Sequence, residues 1–190
     1  MSPQLIFWIF FLLLLFFVIY FDVKYNMLKD ISTANKKPYS FSRVQLAWWS
    51  IIILASFITI VITKGIPTLQ ESTLILLGIS AITTGTARIT DISDQKNPRI
   101  TLIQDEEGEN FILDILSDSN GVSIHRFQSV VFNITFGVWF IAKVLQNLSI
   151  NSASDVMPIL SQNDLILLGL SSGAYVALKT TENKNQTAVG

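Results

Sequence analysis

Hydrophobic positions along the chain gather into five long runs separated by polar stretches. The first, residues 5–21 (LIFWIFFLLLLFFVIYF), holds no charged residue. As a helix it rises about 25 Å, enough for a thin or slightly deformed bilayer. It has no polar stripe, which predicts a helix facing lipid on most sides. Met-Ser-Pro-Gln ahead of it lacks the usual cation, and no small-x-small cleavage site follows, so the run reads as a retained anchor rather than a signal peptide. A polar segment from Asp22 to Ser42 carries Lys24, Lys29, Lys36 and Lys37. Gln45–Thr63 is the second span, with Trp48 and Trp49 near its start, where indoles favour the headgroup level. A turn with Gly65 and Pro67 leads to the third span, about Ser72–Ala87, and a hydrophilic stretch follows from Arg88 to Ser123. Phe127–Leu148 is the fourth span. A loop with Asn151, Ser152 and Pro158 leads to the fifth, about Leu165–Leu178, and the polar tail reads as disordered.

Four of these runs are two copies of one hairpin. Ser40-Phe-Ser-Arg43-Val-Gln45 opens the second span and Ser123-Ile-His-Arg126-Phe-Gln128 the fourth, an offset of 83 residues. Leu74-Ile-Leu-Leu-Gly78-Ile-Ser80 in the third span matches Leu165-Ile-Leu-Leu-Gly169-Leu-Ser171 in the fifth, an offset of 91. The second copy therefore has eight extra residues, all in the connection between its two arms. The copies close on Arg88-Ile-Thr90-Asp91 and Lys179-Thr-Thr181-Glu182. Such internal similarity takes precedence over other readings of a chain. It divides this one into an anchor (1–22), a linker (23–39), repeat 1 (40–91), a loop with a short amphipathic helix (92–122), repeat 2 (123–182) and a tail (183–190).

Charge placement predicts orientation. With five spans, one side receives Lys24, Lys29, Lys36, Lys37, Arg43, Arg88, Lys96, Arg99, Arg126, Lys179 and Lys184, and the other only Lys64 and Lys143. The positive-inside rule makes the rich side cytoplasmic, with the N-terminus outside and the C-terminus inside. Both hairpins then enter from the cytoplasm and return to it, as parallel repeats about an axis along the membrane normal. The expected fold is an all-α integral membrane protein of five transmembrane helices, the anchor standing beside a pseudo-twofold four-helix bundle.

Composition agrees. Of 190 residues half are hydrophobic and only 14% charged; with a mean hydropathy of +0.50 this is not the balance of a soluble globule. A net charge of −1 offers no basic field for nucleic acid. With no cysteine there is no disulfide, thiolate metal site or thiol nucleophile, and a single histidine argues against a histidine metal site or triad. No nucleophile–base pair, phosphate-binding glycine loop or acid–base carboxylate pair is found, so no cofactor and no enzymatic activity are expected.

Three groups of residues could carry function. Arg43, Arg88, Arg126 and Lys179 mark the repeat boundaries and, with Asp91 and Glu182, could ring a cytoplasmic mouth that selects anions. Anchoring by snorkelling is the simpler reading, since cations generally flank spans. The third span is unusually polar. Ser80, Thr83 and Thr84 could line a wet path or bond within a helix pair, and packing is favoured by its small residues and by Gly169-x-x-x-Gly173 in the matching arm. Phe111, Ile112, Ile115 and Leu116 share one face of a short helix that would lie on the membrane, foot the bundle or dock a cytoplasmic partner, with Asp114 off that face. The acidic run Asp105–Glu109 lacks EF-hand spacing and reads as a solvated loop. Within the fourth span, Lys143 reads as snorkelling and Asn133 as an interhelical hydrogen bonder.

The stretch from Phe111-Ile-Leu-Asp-Ile-Leu-Ser-Asp118 through Arg126-Phe-Gln128, with Gly169-Leu-Ser-Ser-Gly173-Ala-Tyr175, resembles a group of small bacterial multi-pass membrane proteins. In that group the last motif often reads Gly-Ile-Ser-Ser-Gly-Thr-Tyr; Leu170 and Ala174 depart from it, so no threonine hydroxyl stands at 174. The resemblance covers about residues 40–180, implies a bacterial inner membrane and transfers no catalytic or binding residue. Four short spans enclose little space, so a conducting path would need a homo-oligomer. The leading expectation is an oligomeric, non-enzymatic, channel-like or permeabilising component. The rivals are an anchor or sensor that recruits a cytoplasmic partner, as in stress or phage defence, and, more weakly, a small transporter.

Overall fold

The computed structural model describes residues 1–67, 71–95, 107–118, 121–149 and 152–169. Across them the chain is helical, with α1 (Pro3–Tyr25), α2 (Phe41–Lys64), α3 (Glu71–Gln95), a short α4 (Phe111–Leu116) and α5 (Ile124–Asn147). A further helix, α6, runs over residues 162–169. The only paired strands among the described residues are two-residue segments, β1 (Ser117–Asp118) and β2 (Gly121–Val122), in antiparallel register. Four helices, α1, α2, α3 and α5, are long and apolar enough to cross a membrane. Most of the fifth expected span, and the tail, lie outside the described residues.

Local chemistry sets the helix ends. Ser2 caps α1 by accepting from the Leu5 amide, with Pro3 in the first turn. Asn26, left-handed at φ 54°, closes it by returning its N–H to the Asp22 carbonyl. α2 stops at Gly65, whose φ of 96° few other residues adopt. α6 opens on a reciprocal cap in which Ser161 and Asp164 exchange hydrogen bonds. α3 runs to Gln95, two turns beyond the span expected to end at Ala87, so Arg88 and Asp91 stand on a helix rather than in a hydrophilic loop. The hydrophobic run ends there, but the backbone hydrogen-bond ladder continues.

Small polar side chains share the helix interfaces with a core of large apolar ones, and much apolar surface faces outward. On α5, Phe127, Val131, Ile134 and Val138 form an exposed apolar stripe, while Ser129, Asn133 and Gly137 point inward. α2 and α3 likewise bury Ser56, Thr59, Ser80 and Thr83. Contiguous exposed apolar surface on this scale marks contact with another apolar phase. The buried hydroxyls of Ser56, Thr59 and Thr83 bond to carbonyls four residues back at 2.7 Å, which satisfies them without water. α1 buries Phe7 and Phe11 against the bundle and leaves most of its other large side chains exposed.

One polar knot joins the helices that open the two repeats. Trp49, fully buried, donates from Nε1 to Asn133 Oδ1 at 2.7 Å. The Asn133 amide group donates to the Ser129 carbonyl at 2.8 Å. Trp48 donates to the Asn133 main-chain carbonyl at 3.1 Å, and its indole lies so close to Gly137 that a Cβ there would stand 2.4 Å from Nε1. Asn133 thus makes the interhelical bond expected of it. Trp49 is core rather than surface, edge-on to Phe140, because its indole supplies the donor that the buried amide oxygen takes up, while Trp48 is half-buried. α2 and α5 run in the same direction, Phe41 and Val44 sharing a cluster with Val130 one level below the Trp49–Asn133 bond.

The eight extra residues have a place. Six residues join α2 to α3 and fourteen join α5 to α6. The longer connection folds inward, burying Val156, Met157 and Leu160 in the main core with Leu148 and Leu168. It is held by the Leu160 amide on Ser72 Oγ and by the Asn147 side chain on the Asp155 and Val156 carbonyls, each at 3.3 Å.

Replacing Asn133 by Leu strands the buried Trp49 N–H and should cost about 1–2 kcal/mol. Thermal unfolding in detergent should show a lower Tm for Asn133→Leu and no change for Ile134→Leu on the exposed stripe. An Asn133→Leu variant as stable as the parent would show that the knot contributes nothing.

Candidate docking site at the polar end

The end of the bundle where α1 and α3 finish and α2 and α5 begin is covered by a cap of two chain segments. Most of the linker expected over 23–39 lies beyond α1, where residues 26–40 form an ordered hairpin. Lys29 bridges Tyr39, the Asp30 amide donates to the Pro38 carbonyl at 2.9 Å, and the Ser40 amide donates to the Leu28 carbonyl at 2.8 Å. Asp22, buried in the last turn of α1, accepts from the Leu28 amide at 2.9 Å and so fixes the start of the hairpin.

Residues 107–118 dock onto this hairpin. Gly108 donates its amide to the Lys36 carbonyl at 2.8 Å, and the Lys36 ammonium donates back to the Glu109 carbonyl. A Cβ at Gly108 would meet Pro38 Cα at 2.9 Å, so glycine is required for the approach. Within the described end of the acidic run Gly108 is buried while Glu107 and Glu109 stay exposed, and Asp105 and Glu106 lie outside the described residues. Asn110 caps α4 by accepting from the Leu113 amide at 3.0 Å. Asp114 gathers the cap, its carboxylate accepting from the Glu109 amide at 2.9 Å and the Tyr39 amide at 3.1 Å.

Tyr39 is where the two segments and α1 meet. Its ring packs edge-on to Phe111 at 5.1 Å between centroids, with the Lys29 ammonium 5.4 Å from its centroid. Its hydroxyl bonds to Asp22. Burial, then the Asp22 charge and bond, then the Asp114 charge push the phenol above its ordinary value near 10. Sequence reading missed Asp22, Tyr39 and Asp114 as a group. The one available signal was Asp114 standing alone in an apolar hexapeptide.

The four α4 residues expected to act together are divided. Ile115 is buried against Phe41 and Ala87, with Leu116 packed at the edge of that cluster. Phe111 and Ile112 are exposed, Ile112 at 62%. A six-residue helix cannot present four apolar side chains outward and still be held, and here two do the holding.

The other candidates are placed as follows. Ser80 and Thr83 are buried inside the chain, and Thr84 spans to α2 by donating to the Ser42 carbonyl at 3.0 Å. Gly169 faces α3, a Cβ there falling 3.8 Å from Ile79 Cδ1. Arg43 is turned toward α1, donating to the Met27 carbonyl at 3.5 Å. Arg88 is exposed, Asp91 buried and Arg126 half-buried. Gly173, Lys179 and Glu182 lie outside the described residues. Lys143 is exposed near the end of α5, and His125 is exposed. Among the described residues no group of three or more His, Cys, Asp or Glu side chains could hold a metal ion. Compared with known protein families, curated proteins and solved structures, the chain matches none.

The raised Tyr39 value gives the cap a pH signature. The folded cap holds the phenolic proton more tightly than the unfolded chain, so its contribution is complete below about pH 10 and is lost as pH rises through the raised value. Tyr39→Phe keeps the ring and removes the bond, about 1 kcal/mol. The parent should exceed the variant in Tm at pH 8, and the gap should close above about pH 10. A gap that stays constant to pH 11 would mean that the hydroxyl does not act through its proton.

Proposed function

We propose that the chain is a non-enzymatic, multi-pass anchor of the bacterial inner membrane that recruits a partner protein through its cytoplasmic cap. The observation that carries this reading is the cap itself. Two polar segments, far apart in sequence, fold against each other through Asp22, Tyr39 and Asp114 and leave Phe111 and Ile112 outward. An unfolded linker would need no such bonds. Exposed apolar side chains on an ordered, otherwise polar element offer the apolar centre around which a protein contact can form.

The orientation follows from charge. Lys24, Lys29, Lys36, Lys37, Arg43, Arg88 and Arg126 stand at the capped end, against Lys64 and Lys143 at the other, so the cap faces the cytoplasm. In this reading five segments cross the bilayer, the fifth being the apolar run expected over Leu165–Leu178. The repeats are related by a pseudo-twofold axis along the membrane normal. Two details support the duplication. Ser40 and Ser123 precede helices of 24 residues with nearly the same backbone, φ −89°, ψ 117° and φ −93°, ψ 128°. Each also donates its amide at 2.8 Å to an upstream leucine carbonyl, Leu28 or Leu116.

A second reading, a homo-oligomeric channel-like component, has one specific observation in its favour. Ser80 Oγ and Thr73 Oγ1 are buried without a hydrogen-bond partner, and a hydrated path opened in an oligomer would satisfy them. Against it, the far end of the bundle is filled by Val156, Met157 and Leu160. The anchor reading fits the geometry better.

The test is a Phe111→Ser/Ile112→Ser variant of the full chain, purified from its native host beside the parent. A protein that co-purifies with the parent should be lost from the variant, while Tm and oligomeric state stay unchanged. Equal capture by both would remove the docking role of α4. Ion flux from liposomes holding the purified chain alone would favour the channel.

A further inference from the structure

A groove of about 380 Å³ lies between α1 and α2. Its walls are almost wholly apolar, from Leu14 and Leu54 at its deep end to Phe21 and Leu28 near the cap, with Ala47 in its floor. Arg43 is the one charged residue lining it. From Arg43 to Leu54 α2 rises about 16 Å, close to half the hydrocarbon thickness of a bilayer, about 15 Å. The groove therefore has the length of one leaflet, with its apolar part toward the midplane and its cation at the headgroup level. Small side chains at Ala47 and Ser50 make room for it between two otherwise bulky helices.

The charge at its mouth selects the occupant. Arg43 stands in the first turn of α2, whose N-cap Ser40 makes no side-chain capping bond. The positive end of the helix dipole and the guanidinium thus add at one point. A guanidinium carries five N–H donors, and the bond to Met27 uses one. Phosphodiester oxygens match the fork that remains. We propose that this groove is a binding site for one anionic glycerophospholipid, an acyl chain lying between α1 and α2 and the phosphate resting on Arg43. The site rests on the bilayer-crossing reading of α1 and α2 and is independent of partner recruitment at the cap. It gives Arg43 a ligand on the α1 side of the bundle, in place of a position in a central ring.

The experiment is native mass spectrometry of the delipidated full chain in detergent, titrated separately with phosphatidylglycerol, phosphatidylethanolamine and inorganic phosphate. The parent should retain one phosphatidylglycerol per chain in preference to phosphatidylethanolamine and should not retain phosphate. Arg43→Gln should weaken retention about tenfold, as expected for loss of a charge-assisted bond. Ala47→Phe should abolish retention by filling the floor. Arg88→Gln, which removes an exposed cation at the same end, should leave it unchanged. Equal retention by Arg43→Gln and the parent, or equal loss with Arg88→Gln, would overturn the assignment. Phosphate binding alone would make the site an anion site without a lipid. Should Ala47→Phe fail to fold, Ser50→Leu fills the groove more mildly, and undiminished retention there would equally overturn the proposal.

Discussion

A buried side-chain amide left without hydrogen bonds is costly, and Asn133 is the amide of this chain whose bonds tie two helices together. It lies inside an apolar helix, and its oxygen, its NH2 group and its main-chain carbonyl are all engaged, by Trp49, Ser129 and Trp48. Because each indole has one N–H, the register of α2 against α5 is set by two adjacent residues meeting one asparagine. A slip of one residue along either helix would leave donor and acceptor both orphaned, at more cost than an apolar contact carries. Gly137 completes the constraint by letting the Trp48 ring lie against the backbone. In lipid, helices gain little from burying apolar surface against each other, so close approach and polar bonds decide which pair.

From that fixed pair the rest follows in order. α2 and α5, held side by side in one direction, present their starts at the same level, and Phe41, Ala87 and Ile115 close over that end. The cap is built on this apolar floor. Asp22, in the last turn of α1, brings that helix into the same structure through the Leu28 amide and the Tyr39 hydroxyl. At the opposite end the longer connection of the second repeat fills the bundle with Val156, Met157 and Leu160. Among the described residues, one end of the bundle is thus ordered by polar bonds and the other is filled by apolar side chains.

Much of this was legible in the sequence. The apolar runs located α1, α2 and α5 to within a few residues, since length and hydropathy are properties of a single segment. Asn133 stood out because an amide in such a run must find a donor. Trp49 did not, because a tryptophan near the start of a span satisfies the interface rule equally well, and only the neighbour across the gap decides between them. The last turns of α3 were missed for a different reason. Hydropathy reports the solvent around a helix, not the continuity of its backbone bonds. The cap was invisible as a unit, since its bonds join residues about 75 apart, as in Tyr39 to Asp114, and nothing local marks either as the partner of the other. The division of α4 into two holding and two displayed side chains likewise depends on where Phe41 and Ala87 lie.

α5 turns Ser129, Asn133 and Gly137 inward along its first half, with Phe140, Ile141 and Val144 beyond them, and leaves an outward apolar stripe suited to lipid. The chain has no cysteine, so single cysteines can be introduced and spin-labelled without background. Labels at Val131, Ile134 and Val138 in reconstituted bilayers should be mobile, open to oxygen and shielded from a water-soluble nickel relaxant. A label at Ser129 should be immobilised and reached by neither. Ready access of the nickel reagent to the three stripe positions would contradict the account, because that face would then be in water.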